Sequence, residues 1–268
     1  MWHGLNNEFL YAAHRITAHF DRQTDKKSNT KNGTCFFVMN KRAKLCLITN
    51  RHMLDFGYPD NKQDHIGYQL SCIEIERFER NPETDKLPTN RFVDKAISIE
   101  NSIRYSRLYE EDVACIVDPK VRTAKDANAS IDFHISYDLV ATKEWLDSKL
   151  SVCDFVAFPG FPTWYDKSTY RPIMRAGTIA SDPRSDYSPS GQSEGRKVAF
   201  EAFSSSGSSG SPVFAAEKGP KPGPGLHFDG YREPKLIGVN AGHLQAEFGN
   251  HSGISYFFKA SVILELIE

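Results

Sequence analysis

Three side chains able to carry acyl transfer stand in distinctive contexts in this 268-residue sequence. The first is a serine. Residues 202–214, AFSSSGSSGSPVF, crowd six serines and two glycines between apolar residues. Within them Ser209 lies in Gly207-Ser208-Ser209-Gly210, and glycine is what a chain needs where φ turns positive or a substrate must approach the backbone. Such a turn presents one hydroxyl, with the N–H groups of Gly207 and Ser209 available to hold the oxygen of a tetrahedral intermediate. The other reading is a flexible linker. The immediate return to Pro212-Val213-Phe214 favours a turn that feeds a buried strand.

A serine hydroxyl needs a base and an orienting acid. Of the nine histidines, His52 follows the apolar run LCLIT and opens RHMLD, so it emerges where a scaffold can hold an imidazole. A structural histidine at a strand end is the alternative. Asp112 directly precedes VACIV at the mouth of another apolar run, where a turn-forming acid is equally at home. Asp138 in YDLVA has a similar setting, and Asp112 is preferred for the longer apolar run behind it.

The elements that must position these groups read as strands. HRITAHF (14–20), TCFFVM (34–39), LCLITN (45–50), HIGYQLSCIEIERF (65–78), FVDKAISIE (92–100), DVACIV (112–117), DFVAFPG (154–160), RAGTIAS (175–181), KVAFEAF (197–203), SPVFAA (211–216) and KLIGVNAG (235–242) are rich in Val, Ile, Phe and Thr. Turn-rich stretches separate them: 22–33, 80–90, 181–195 and the Gly/Pro-rich 217–225, which reads as a surface loop because strand-like sequence continues on both sides. Helical patterning is confined to 141–150 and the C-terminal KASVILELIE. The expected fold class is all-β, as closed barrels or a sandwich.

The net charge of −1 arises from 33 basic and 34 acidic residues without a long block of either sign, so no basic stripe for nucleic acid is present. Aromatic strands such as TCFFV are then more economically core than base-stacking platforms. No apolar run reaches the length needed to span a bilayer, and the N-terminus lacks a secretory pattern. A soluble, cytoplasmic protein with no membrane association is expected. Five scattered cysteines without a CxxC pair suit buried free thiols better than disulfides or a zinc site. No cofactor or metal is expected.

In chain order, LITNRHM, DVACI and GSSGSPVF resemble the three signature stretches of the trypsin/chymotrypsin-like serine proteases, whose triad order is His, Asp, Ser. NGTCFFV resembles the strand before the family's histidine, with Cys35 in place of a glycine. GVNAGH (238–243) resembles the strand that pairs with substrate, and SGISYFF with KASVILELIE resembles the last strand and terminal helix. The alternative nucleophile elbow G-x-S-x-G fails because position 211 is Ser.

The resemblance implies two six-stranded antiparallel Greek-key barrels of chymotrypsin-like type with a C-terminal helix. Residues 1–130 would carry His52 and Asp112, and 131–268 would carry Ser209, together forming one protease unit. Ser209 is then the nucleophile, His52 the general base and acid, Asp112 the orienting group, and Gly207 and Ser209 the oxyanion hole. Phe203 falls at the floor of the primary pocket, Ser204, Gly242 and Gly253 line its walls, and Asn240, Ala241 and Gly242 lie on the substrate-pairing strand. With no buried carboxylate to receive Arg or Lys, a small or shallow apolar P1 residue is expected, with Glu201 or His243 reshaping the pocket and loop 181–196 covering it.

Ser208 stands where secreted members carry an aspartate that pairs with a newly cut N-terminus. Ser211 replaces the second glycine after the nucleophile, and Met53 stands where a cysteine follows the histidine. These departures point to an intracellular, prokaryotic member. The implied activity is that of a serine endopeptidase acting on proteins or peptides through an acyl-enzyme. The competing readings are a protein-binding module that has lost its chemistry, or an enzyme active only when a protein partner orders the serine loop.

Overall fold

The structure, a computed structural model, describes residues 5–60, 62–80, 88, 91–96, 103–119, 121–122, 131–221, 223, 230–246 and 249–268. Alternation decides the first strand: Ile16, Ala18 and Phe20 are buried along β1 (Ala13–Arg22), and the residues between them are less so. β2 (Lys27–Met39) and β3 (Leu45–Thr49) follow, then β4 (Tyr68–Phe78), β5 (Arg91–Ala96), β6 (Ile103–Tyr105), β7 (Ala114–Val117) and β8 (Val121–Arg122). They form one antiparallel sheet in the order β6-β7-β3-β2-β1-β4-β5-β8. The second half contains β9 (Phe155–Gly160), β10 (Ile173–Ile179), β11 (Lys197–Glu201), β12 (Pro212–Ala215), β13 (Lys235–Gln245) and β14 (His251–Lys259), closed as a barrel in the order β10-β11-β14-β13-β12-β9.

β2 explains how the halves meet. Cys35, Phe36, Phe37 and Val38 are all buried, and successive side chains of a strand point to opposite faces. Cys35 and Phe37 enter the core of the first sheet with Ile16, Leu47 and Ile75. Phe36 and Val38 enter a second core shared with Val213, Phe214, Phe257 and Phe258 of the barrel. A continuous apolar run is therefore required here, because the strand is covered on both sides.

Helices are short: α1 (Glu8–Tyr11), α2 (Arg51–Leu54), α3 (Lys143–Lys149) and α4 (Ala260–Ile267). Thr142 caps α3 by accepting the Trp145 N–H. α4 buries Val262, Ile263, Leu266 and Ile267 and reaches back to the first sheet, where Arg104 donates to Leu266 O (2.7 Å) and the Asn40 amide to Ile267 O (3.0 Å). No helix among the described residues is long and apolar enough to cross a membrane.

The sequence reading of strands differs from the structure in three places. The polar segment 27–33, expected as a turn, belongs to β2, because its backbone pairs with β1 from Arg22↔Lys27 onward while its side chains stay in solvent. The first sheet carries two strands more than six, the three-residue β6 and two-residue β8 at its edges, too short to show periodicity. The 97–100 part of the strand expected at 92–100 lies outside the described residues, as do 222 and 224–225 of the Gly/Pro-rich loop. All five cysteines are free, with Cys35, Cys46 and Cys115 buried, Cys72 half-buried and Cys153 exposed.

Candidate active site

His52 sits in α2, immediately after β3. The sequence reading placed it at a bare strand end, but a single helical turn presents it instead. Asn50, the residue before that turn, is buried, and its amide donates to Asp112 O at 2.7 Å, so the start of the turn is tied to the segment that carries the acid. Asp112 then binds the histidine twice. Its Oδ1 accepts the His52 backbone N–H at 2.8 Å, and its Oδ2 lies 2.6 Å from the ring Nδ1. A carboxylate so placed fixes the proton on Nδ1 and leaves Nε2 as the free lone pair. The Lys31 ammonium closes the turn from below, donating to His52 O (2.8 Å), Phe56 O (3.3 Å) and Asp55 O (3.4 Å). Burial holds the Lys31 amine below the ordinary lysine range. Asp138, the other acid considered, lies apart in the turn Tyr137–Leu139, where its carbonyl receives Lys235.

The serine segment is a tight turn, held by the other half of the molecule. Gly207 has φ +91 and Gly210 φ +83. A Cβ at Gly207 would overlap the Phe161 carbonyl oxygen, and one at Gly210 the Thr34 carbonyl oxygen, so both positions require glycine twice over. Thr34 of β2 donates its hydroxyl to Gly207 O (2.8 Å) and its N–H to Ser209 O (2.9 Å). Gly33 stands between the two catalytic candidates: a Cβ there would come 2.8 Å from Met53 Sδ and 3.3 Å from Ser209 O.

Carbonyl contacts set the direction of the N–H groups. Thr163 N–H donates to Ser206 O at 3.1 Å, and the Asn240 side-chain amide donates to Ser208 O at 2.9 Å. In a trans peptide the C=O and the following N–H point opposite ways, so the N–H groups of Gly207 and Ser209 are turned away from these anchors. Neither N–H takes part in a backbone hydrogen bond among the described residues, whereas Ser208, Gly210 and Ser211 donate to Ser205 O, Asn240 O and Ser208 O.

His52 and Asp112 are thus brought into direct contact, while Ser209 Oγ makes no hydrogen bond to the His52 ring among the described residues. Catalytic contacts of this kind are commonly long before substrate binds.

Of the residues expected to touch substrate, Phe203 differs most from expectation. It is 61% exposed and packs against the His251 ring (centroids 4.9 Å), so it stands at the rim and is not a buried floor. Six flanking residues of the serine loop are polar or glycine, which leaves no apolar layer to draw the ring inward. Ser204 is buried, its N–H donating to Ser255 Oγ at 3.2 Å. A Cβ at Gly253 would meet the Phe203 ring edge at 4.0 Å, and one at Gly242 the Tyr256 hydroxyl at 2.9 Å. Ala241 is buried at a bulge between the β13–β14 pairs Asn240↔Phe257 and Gly242↔Tyr256. The Asn240 side chain points into the serine loop, where its amide donates to Ser208 O. Glu201 is exposed on β11, and loop 181–196 is held by Lys259, which donates to Ser185 O (3.0 Å) and pairs with Asp186 (2.8 Å).

Sequence reasoning missed Thr34, Asn50, Lys31 and the side-chain role of Asn240. Thr34 opens one quoted strand and Asn50 closes another, and their polarity at the ends of apolar runs is the available signal. Lys31 sits in the polar segment taken for a turn.

No protein-family model matches this sequence, and no curated protein matches it. Among solved structures, the chain is similar to the HtrA-type protease AlgW with decapeptide at 12% identity and TM-score 0.52, covering 96% of this chain and 63% of that one. It therefore spans less than two thirds of the AlgW chain. It is also similar to Deg5 (17% identity, TM-score 0.52, 97% and 90% covered) and to the protease Anisep from Arthrobacter nicotinovorans (13%, 0.54, 96% and 94%). At these identities the likeness establishes the fold, a chymotrypsin-like one in which a closed barrel packs against an eight-stranded antiparallel sheet.

Proposed function

We propose that this chain is a serine endopeptidase in which Ser209 attacks the scissile carbonyl, His52 accepts and returns the proton, and Asp112 orients and stabilises the imidazolium. The observation that carries the reading is the double contact of Asp112 with His52, through Nδ1 and the backbone N–H, beside a serine turn whose carbonyls are anchored. Attack forms the Ser209 Oγ–carbon bond and places negative charge on the former carbonyl oxygen, which the N–H groups of Gly207 and Ser209 receive. His52 Nε2 takes the hydroxyl proton and delivers it to the leaving amine, and water then releases the acyl group by the reverse sequence. The halves 1–130 and 131–268 act as one unit, since His52 and Asp112 come from the first and Ser209 from the second. Protein or peptide segments are the substrate class, in keeping with the likeness to a protease solved with a decapeptide. A cytoplasmic setting, which keeps thiols reduced, would suit five cysteines that form no disulfide.

Labelling with a fluorophosphonate tests the nucleophile directly. Ser209→Ala and His52→Ala should abolish labelling and lower kcat on a casein or peptide substrate by roughly 10⁴ to 10⁶; a Ser209→Ala protein that cleaves as fast as the parent refutes the assignment. The second reading is activity switched on by a protein partner. It predicts slow labelling alone and fast labelling with the partner.

A further inference from the structure

Arg175 lies on β10 opposite Phe158 of β9 and on the same face as Ile179, whose side chain is in the core. Between them on that face, Gly177 has no side chain, and a Cβ there would touch Ala202, the residue before Phe203. Arg175 therefore projects inward at the end of the barrel where the serine loop begins. Its guanidinium carbon lies 5.6 Å from the Phe158 ring centroid and 5.2 Å from that of Trp164. Trp164 belongs to the segment whose neighbour Thr163 donates to Ser206 O, so this cation is set beside the loop that carries Ser209.

Among the described residues the guanidinium has no carboxylate partner. Arg175 makes no ion pair among the described residues, and its buried Nη1 has no hydrogen-bond partner. Elsewhere in this protein a buried arginine is matched: Arg232 pairs with Asp154 and two carbonyls, and Arg196 with Glu111 and Glu265. Burial lowers the pKa of Arg175, as a desolvated and uncompensated cation requires.

More polar side chains lie near the same space. His251 accepts the Gly253 N–H on Nδ1 at 2.8 Å and the Ser204 N–H on Nε2 at 3.1 Å, with Ser255 Oγ 3.5 Å from Nε2, so the serine loop and β14 hold the ring in place. His243 stacks flat on His251 at 4.2 Å between centroids and 17° between planes. Ser205 Oγ is buried without a partner. Gly253 adds no side chain, and a Cβ there would meet the edge of the Phe203 ring at 4.0 Å. None of the side chains Arg175, His243, His251, Ser205 and Ser255 is an acid. Glu201, the nearest acid in sequence, points outward from β11.

Resting on the acyl-transfer reading above, we propose that the primary specificity pocket accepts an acidic P1 side chain, Asp or Glu, whose carboxylate is received by Arg175 with His251 beside it. Phe158 and Trp164 hold the guanidinium plane, and the carboxylate supplies the counter-charge that the folded protein itself withholds. The expectation of a small apolar P1 residue rested on Phe203 as a buried floor, and Phe203 is on the rim.

Four fluorogenic peptides that differ only at P1, as Glu, Gln, Leu or Lys, test this on the full chain, with fluorophosphonate labelling counting competent sites. Glu should exceed its isostere Gln by about 100-fold in kcat/KM, the scale of leaving a buried cation unpaired, and Arg175→Met should bring that ratio toward one. Should the variant not fold, the parent's Glu-to-Gln ratio decides alone. A protein that labels yet cleaves after Gln, Leu or Lys as readily as after Glu overturns the acidic pocket and leaves the serine mechanism standing. A parent that never labels overturns the serine mechanism, and the pocket falls with it.

Discussion

The Asn240 side-chain amide donates to the Ser208 carbonyl oxygen at 2.9 Å, and the Asn240 backbone is itself locked to the same loop through Gly210 N–H and Ser211 O. Ser208 is 1% exposed and its hydroxyl has no partner, so a neutral amide holds this peptide where a charged pair with a freed N-terminus would do so in secreted proteases. With the carbonyl pinned, the Ser209 N–H has one direction left. Asn240→Ala should lower kcat by about 10² to 10³, the usual cost of one misplaced oxyanion donor, with KM changed far less. Parallel steady-state kinetics and thermal melts check this; a variant with the parent's kcat would mean the peptide needs no pin.

Glu111, adjacent to Asp112 and 0% exposed, carries a second constraint. Arg196 brackets it with Nε at 2.6 Å and Nη2 at 2.9 Å, and the same guanidinium reaches Glu265 of α4. Burial pushes the Glu111 carboxyl up, but the hydrogen bonds from Arg196 and Ser106 outweigh it and hold the group below the usual range. Since the folded pKa lies below the unfolded one, this contribution is full above the unfolded pKa and lost as pH falls through the folded value. Arg196→Met should cost about 3 to 5 kcal/mol of unfolding free energy at pH 7, because it strands a buried carboxylate. Adding Glu111→Leu should recover a large part. Urea titrations of both variants decide, and a fully additive pair of losses would contradict the coupling.

Strand order along the chain and the His52–Asp112 pairing were legible because apolar runs such as LCLIT and VACIV deliver their end residues to one place. The serine turn was legible for a different reason: two glycines at fixed offsets, each of which the structure requires for φ and for space. What the sequence hid is long-range. Phe203 was taken as buried because alignment fixes position along the chain but not the layer that covers a ring. Arg175 offered no local signal, since its meaning depends on Trp164, Gly177 and His251 converging from three segments. The polar strand 27–33 was missed because its ladder partner, not its own composition, holds it in place.

Lys31 links the turn of His52 to bulk pH. Its ammonium is set 4.7 Å from the Phe56 ring centroid and donates to three carbonyls at the end of α2. Because burial lowers its pKa, the amine loses its proton at a lower pH than an exposed lysine, and the turn then loses its anchor. Activity should fall on an alkaline limb beginning below the ordinary lysine pKa of about 10.4, and Lys31→Arg should move that limb upward. Lys31→Met should remove the limb and lower kcat at neutral pH by about tenfold or more, the equivalent of one charged hydrogen bond. Identical pH profiles for parent and Lys31→Arg would dismiss this role.

Acid should destabilise the fold through His14. The ring is 1% exposed, Nε2–H donates to Phe133 O at 3.0 Å, Nδ1 has no partner, and the Phe37 ring stands edge-on to it at 5.2 Å. Burial lowers its pKa from 6.5 to about 4, with the Arg77 and His134 charges adding to that and the Phe133 bond opposing it. Between those two values the unfolded chain binds a proton that the folded chain refuses, so stability must fall as pH drops from 6.5 toward 4. The full loss is about 3 kcal/mol, at about 1.4 kcal/mol per pH unit. His14→Gln keeps a donor for Phe133 O and cannot titrate. Its unfolding free energy should therefore decline less steeply than the parent's over that interval, measured by denaturant titration at pH 7, 5.5 and 4.5. Equal slopes would assign the acid sensitivity to the carboxylates, Glu111 and Asp154 foremost, since both are buried against arginine and held below the usual range.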